Sequence, residues 1–240
     1  MTPDRPAGAP PRAEPAPQTP ERIRLQRRQF SALAAASLGL GLARTAGAAD
    51  APAHPVTSKD YQTLDKPVPV SAPAGTVDVV EFFSYACPHC FEFEPTLENW
   101  LKAKPAGVNF HRAPVHFLQN AVNFQPMYFA LEAMGLVDTM QQKVFNAFHL
   151  EHLRLDKPEA ISAFMGRNGV DATRFMSVFN SFGVRAKVQQ ATQLFDAYGL
   201  DGVPTLAVQG RFITSPAIAK GETQALAAVD YLVAQVRAGH

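Results

Sequence analysis

Hydrophobic and polar positions change period several times along this chain. Thr76 to Phe83 (TVDVVEFF) is rich in β-branched and aromatic side chains and predicts a buried strand. Ser84-Tyr85-Ala86 is a short connection. A helix is then predicted from Cys87 to about Lys104, with Pro88 at its first helical position, where the missing N–H leaves no bond unmade. Pro95 lies inside this helix, where the loss of a backbone bond predicts a kink. Val108 to Ala113 predicts a second strand. From about Asn120 to Tyr198 the period becomes helical. Phe124, Met127, Tyr128, Leu131 and Met134 make one stripe, and Val144, Phe145 and Phe148 another. Phe175, Val178, Phe179 and Phe182 make a third, opened by Asp171 as an N-cap and closed by Gly183. A fourth runs from Val184 through Val188, Ala191, Leu194 and Phe195 to Tyr198 and ends at Gly199. Strands return at Thr205 to Val208 and Arg211 to Thr214 around a Gln209-Gly210 turn. The last helix carries Leu226, Val229, Leu232, Val233 and Val236.

The outline is a β-α-β half, a helical block of residues 120–198, and a β-β-α half. No internal repeat interrupts it. Each half holds too few strands to bury itself, so the expected class is α/β with one shared sheet, built from 76–119 and 199–240, and an all-helical insertion. Residues 49–75, proline-rich with few large apolar side chains, predict an extended arm.

The first 48 residues differ from the rest. Seven prolines in the first 20 residues cannot support a core. A basic block, Arg22 to Arg28, precedes the apolar run Phe30 to Ala43, and Ala46-Gly47-Ala48 completes the order of a signal peptide with cleavage expected after Ala48. The alternatives, an uncleaved anchor or a buried helix, fit poorly with so short an Ala/Gly-rich run, because a membrane span needs about 20 apolar residues. Arg27-Arg28-Gln29-Phe30 is similar to a twin-arginine export signal, although Gln26 stands where that pattern prefers Ser or Thr, so ordinary secretion remains open. A start codon downstream of the proline-rich prefix is also open. Every one of these routes leads out of the cytoplasm.

Composition then narrows the chemistry. The whole chain of 240 residues has net charge +1, and without residues 1–48, which hold seven Arg and three acids, it becomes −3. Neither value suits a nucleic-acid binder. The two cysteines, Cys87 and Cys90, exclude a disulfide-dense scaffold and a four-thiolate zinc site. In an oxidising compartment they are free to form a disulfide with each other.

Cys87-Pro88-His89-Cys90 follows a strand and opens a helix. The unpaired N–H groups and the dipole of a helix N-terminus favour a thiolate at Cys87, lowering its pKa and making it both nucleophile and leaving group. Cys90, one turn later, reaches Cys87 but faces inward, as a resolving thiol does, and His89 adds a nearby donor or cation. A zinc half-site would need further ligands. His149 and His152, three apart, are the candidates, but His149 to Arg154 reads as a solvated helix end. A purely structural disulfide across so small a loop restricts the unfolded chain little.

Two further features accompany the pair. Gly202-Val203-Pro204-Thr205 sets a proline at the start of a strand. If its peptide bond is cis, the Val203 backbone is free beside the cysteines to pair with an extended substrate peptide. An ordinary trans proline is the alternative. Glu81 places a carboxylate in an apolar strand, which is unfavourable unless it is paired or put to use. It can relay a proton to or from Cys90 with Arg112 as its partner, or lie in solvent at a strand end. Trp100 reads as packing near the end of the first helix.

EFFSYACPHCFEFEP (Glu81 to Pro95) together with GVPT (Gly202 to Thr205) resembles the DsbA family of periplasmic thiol:disulfide interchange proteins. The resemblance extends over nearly all of residues 49–240 and implies a thioredoxin fold with the helical insertion. It also implies Cys87 as attacking and Cys90 as resolving cysteine, Pro88-His89 as the dipeptide that tunes potential, Val203-Pro204 as a cis-proline substrate element and Glu81 as the buried acid. The family commonly has Lys where Arg112 stands. The implied activity is oxidation of reduced secreted proteins in the periplasm, with reoxidation by a DsbB-type quinone-linked membrane protein. No cofactor or metal is expected, and a monomer is the default. A reductase or isomerase is the alternative within the class, although 27 arm residues are too few for the dimerisation domain of DsbC-type isomerases. A non-catalytic metal- or peptide-binding module is the alternative outside it.

Overall fold

Strand β2 (Val77–Phe83) is buried along its whole length, which its near-continuous apolar sequence anticipates. Its neighbours are β3 (Val108–Pro114), parallel, and β4 (Thr205–Val208), antiparallel. β5 (Phe212–Thr214) pairs antiparallel with β4, and β1 (Gln62–Thr63) pairs antiparallel with β5, giving the order β1-β5-β4-β2-β3. These elements belong to a computed structural model that describes residues 54–115 and 123–239. The expected leader, its cleavage point after Ala48 and the boundary between residues 119 and 120 lie outside the described residues.

Helix α1 (Pro88–Ala103) crosses from β2 to β3. Between β3 and β4 come α2 (Phe124–Ala133), α3 (Val137–His149), α4 (Pro158–Arg167), α5 (Ala172–Phe179) and α6 (Phe182–Ala197). The short α7 (Pro216–Ala219) and then α8 (Glu222–Arg237) follow β5. Strand alternation sorts the core into two layers. Val77 and Val79 meet Phe93 and Leu97 of α1 and Leu226, Val229, Leu232 and Val233 of α8. Val80 and Phe82 face the helices between β3 and β4, and Phe82 packs edge-on against Phe195 and Tyr198 of α6.

Local signals account for most boundaries. Asp171 caps α5 by accepting from the Arg174 N–H at 2.9 Å. The stripe from Phe175 to Phe182, however, is two elements rather than one. α5 stops at Phe179, and Ser181 caps α6 by accepting from the Val184 N–H at 3.2 Å. Gly183 is therefore the second residue of α6 rather than a terminator, and Phe182 is 79% exposed. Ser181 supplies the cap oxygen that begins a new helix, and that overrides the periodicity. α4, with Ile161, Phe164 and Met165 inward, falls in a segment where no stripe was expected. α1 continues through Pro95.

The expected arm is part of the sheet. Beside β1, the Leu64 and Val68 N–H groups donate to the carbonyls of Arg211 and Gly210, and Thr214 Oγ1 donates to the Asp60 carbonyl at 2.6 Å. Gln209 and Gly210 turn β4 into β5 with φ of 52° and 63°. A Cβ at Gly210 would lie 1.9 Å from the Val68 carbonyl oxygen, so the arm can cross here only over glycine.

Candidate active site

Cys87 is the N-cap of α1, with φ −87° and ψ 119°, and Pro88 is the first helical residue. The sulfur therefore stands over the free N–H groups of the first turn. Cys87 is partly exposed and Cys90 is fully buried; both are thiols. The Cys90 side chain donating to Cys87 is the main influence that lowers the Cys87 pKa from 9.0 to about 6. The N–H groups of Cys90 and His89 and the charge of His89 act the same way, against a burial that opposes ionisation. Burial, and then the Cys87 sulfur, hold Cys90 well above the usual thiol range. The two thiols are thus split into one acidic and accessible group and one weakly acidic and enclosed group. His89 is exposed, with Nδ1 at 3.1 Å from Glu92 Oε2, and this carboxylate raises its pKa.

Opposite Cys87 is the loop before β4. The Val203–Pro204 peptide bond is cis, and Cys87 Sγ donates to the Val203 carbonyl oxygen at 3.4 Å. A cleft of about 550 Å³ continues from here, lined by His89, Glu92, Asp201, Val203, Pro204 and Glu222 among others.

Beneath the site, the register of β2 on β3 places Glu81 directly beside Arg112. Glu81 has no exposure at all, which removes the solvent alternative, and Arg112 Nε donates to its Oε2 at 2.8 Å. Glu81 Oε1 has no hydrogen-bond partner among the described residues. Burial raises the Glu81 pKa against the pull of Arg112. Arg112 is shared: its Nη2 also donates to Glu94 at 2.8 Å and to Glu98 at 3.0 Å. Burial pushes Glu94 up to about 8. Sequence reasoning missed Glu94, although a signal existed. It sits within the buried stripe of Cys90, Phe93 and Leu97, where a carboxylate needs a partner.

The reading of His149 as part of a solvated helix end is incorrect. Its Nε2 donates to the Tyr85 carbonyl at 2.8 Å, and its ring stacks on Phe91 with centroids 4.9 Å apart. The aromatic wall made by Phe91, Phe145 and Phe148 takes up the ring, whereas His152 is exposed at φ 54°. Trp100 packs as expected, edge-on to Phe110, and its indole N–H donates to Asp230 at 2.9 Å. Among the described residues, no three His, Cys, Asp or Glu side chains converge as metal ligands, and no helix is long and apolar enough to cross a membrane.

This sequence and this fold have counterparts in known proteins. Residues 97–221 match the model of the DSBA-like thioredoxin domain, a span that begins within α1 just after the cysteines. The thiol:disulfide interchange protein DsbA of Burkholderia cepacia is 42% identical over 201 residues, covering 83% of this chain and 94% of that protein. Its Pseudomonas aeruginosa counterpart is 40% identical over 180 residues, or 75% and 85% of the two chains. The crystal structure of Pseudomonas aeruginosa DsbA superimposes with a TM-score of 0.72 at 39% identity, covering 76% of this chain and 94% of that one. The oxidoreductase DsbA of Xylella fastidiosa does so at 0.70 with 29% identity, covering 77% and 98%. These relationships and the thiol pair at the start of α1 make the chain a member of the DsbA family of thiol:disulfide oxidoreductases, on a thioredoxin fold with a helical insertion.

Proposed function

We propose that this protein is a periplasmic dithiol oxidase that donates a Cys87–Cys90 disulfide to reduced, folding secreted proteins. The observation that carries the reading is the split between the two thiols: Cys87 accessible with a pKa of about 6, Cys90 buried and held well above the usual range. A substrate thiolate attacks the Cys87 sulfur of the disulfide, the S–S bond breaks, and Cys90 leaves and takes up a proton. A second substrate thiolate then attacks the substrate sulfur of the mixed disulfide and expels Cys87 as a thiolate. Two electrons have passed to the enzyme, and the substrate holds a new disulfide. The low Cys87 pKa makes it a good leaving group in this last step and favours the reduced enzyme.

The remaining assignments follow from the same reading. Val203 presents its carbonyl to the reacting sulfur, and once Cys87 no longer carries an S–H this oxygen is available to a substrate N–H, in the manner of an added strand. Pro88 and His89 hold and tune the thiolate, Pro204 shapes the loop, and Glu81 handles the proton of Cys90. Residues 1–48 serve as the export signal, and 76–119 with 199–240 form the body into which 120–198 is inserted. The protein acts as a monomer. The reduced enzyme returns its electrons to a quinone-linked membrane protein of the DsbB type.

The test is the redox equilibrium of Cys87–Cys90 against glutathione, with thermal unfolding of both redox forms. An oxidase is more stable reduced than oxidised and equilibrates far above the thioredoxin potential of about −270 mV. A potential near that value overturns the reading.

A further inference from the structure

The connection Ser84-Tyr85-Ala86 determines how Cys87 meets α1, and one peptide plane in it is held at both ends. The Ala86 N–H donates to Ser84 Oγ at 3.3 Å, and the Tyr85 carbonyl accepts from His149 Nε2 at 2.8 Å. The next N–H, that of Cys87, donates to the Ser84 carbonyl at 3.0 Å. His149 is the last residue of α3 and so belongs to the helices between β3 and β4 rather than to the sheet.

The same imidazole reaches the other end of the motif. Phe91, the residue after Cys90, stacks on it with an interplanar angle of 14°. Tyr85 is itself tied to α3 a second time: its hydroxyl donates to Gln141 Oε1, and its ring meets Phe145 edge-on at 5.0 Å. Gln141 and His149 are eight residues apart, a little over two helical turns, and therefore share a face of α3. Because a carbonyl only accepts, the bond to Tyr85 requires the proton on His149 Nε2.

We propose that His149 is a positioning residue which, by holding the Tyr85 carbonyl ahead of Cys87 and the Phe91 ring behind Cys90, lets the helical insertion set the reactivity of the Cys87 thiolate. Without the Nε2–H, the Tyr85 carbonyl has lost its donor and the Tyr85–Ala86 peptide plane is held only at its other end, by the 3.3 Å bond from the Ala86 N–H to Ser84 Oγ. Cys87 then no longer sits squarely against the Cys90 thiol and over the N–H groups of Cys90 and His89, which together favour its anion. Gln141 keeps Tyr85 in the core but does not reach this peptide plane, so it does not replace His149.

This inference rests on Cys87 being the reactive thiol, and the experiment separates the two. The thiolate absorbance of Cys87 is titrated, and its glutathione equilibrium measured, in the wild type, His149→Phe and His149→Gln. Phenylalanine keeps a ring against Phe91 but removes the donor; glutamine keeps an N–H at the position of Nε2. The expected result is a raised Cys87 pKa in His149→Phe, with a rise of one unit lowering the reduction equilibrium constant at pH 7 about fivefold. His149→Gln is expected to fall between the wild type and His149→Phe, because it restores the donor but not the ring against Phe91. Equal pKa values in all three proteins, or equal shifts in both variants, overturn the proposal. Should His149→Phe fail to fold, Phe91→Leu tests the other contact: a raised Cys87 pKa supports the proposal and an unchanged one overturns it. A wild type without an acidic thiol would instead remove the oxidase reading itself.

Discussion

The Cys87 sulfur lies 3.4 Å from the carbonyl oxygen of Val203, although 116 residues separate the two in sequence. The whole helical insertion is looped out between them. The contact joins the acidic thiol at a helix start to a backbone acceptor before a strand, the two groups to which the proposed function gives reactivity and peptide pairing.

The split thiols set the pH dependence of the redox couple. Below pH about 6 reduction places a proton on both sulfurs, while above it Cys87 remains a thiolate and only Cys90 is protonated. The potential should fall by about 59 mV per pH unit below that point and by about 30 mV above it. The Cys87 pKa is lower folded than unfolded, so its contribution to the stability of the reduced form is full above pH 9.0 and lost as pH falls through about 6. Glutathione equilibria from acid to neutral pH, corrected for glutathione's own titration, check this. One unbroken slope would exclude an acidic Cys87.

Glu94 has the opposite sign. Its pKa is about 8 in the folded protein against an ordinary 4.5, so it holds a proton that the unfolded chain has released. Its contribution is full below pH 4.5 and declines as pH rises through about 8. Glu94→Gln should therefore flatten the fall of stability over this window, by at most about 1.4 kcal/mol per pH unit. Urea unfolding at several pH values measures it; parallel curves for the two proteins would refute the assignment.

Phe145 links the insertion to the turn ahead of Cys87. Its ring is fully buried and meets those of Phe83, Tyr85, Phe91 and His149. Phe145→Ala should cost about 3–5 kcal/mol in chemical denaturation. Phe182→Ala, at a ring 79% exposed, should stay within about 0.5 kcal/mol. Similar losses in both variants would contradict the packing.

The cleft beside Cys87 is acidic. Glu92, Asp201 and Glu222 line it, and among the described residues no Lys or Arg does. A peptide with Lys next to its cysteine should be oxidised faster than one with Glu there, and the gap should narrow near ~1 M salt, where the Debye length is about 3 Å. Asp201→Asn should reduce the preference while leaving the glutathione equilibrium unchanged. Stopped-flow rates at low and high salt decide the matter, and indifference to peptide charge at low salt counts against it.

What the sequence determined by itself is what short-range physics controls. The strand from Thr76 to Phe83, the helix opening at Pro88 and the Asp171 cap depend on periodicity and on neighbours within one turn. The thiol pair is legible for the same reason, since the Cys90 thiol and the N–H groups that acidify Cys87 all belong to its own helix. Glu81 with Arg112 was legible because an isolated charge in an apolar strand demands a partner, and adjacent parallel strands supplied one in register.

Tertiary structure decided the rest, because it depends on which faces meet. Only the docking of α1 on the sheet brings Glu94 and Glu98 to the same guanidinium as Glu81. Only the pairing of β1 with β5 turns the proline-rich arm into sheet. His149 reads in sequence as one of two histidines at a polar helix end, yet the fold sets its ring against Phe91 and its N–H on Tyr85, 64 residues away. Periodicity states which side of a helix is apolar. It does not state what lies against that side, and in this protein that is the turn that carries Cys87.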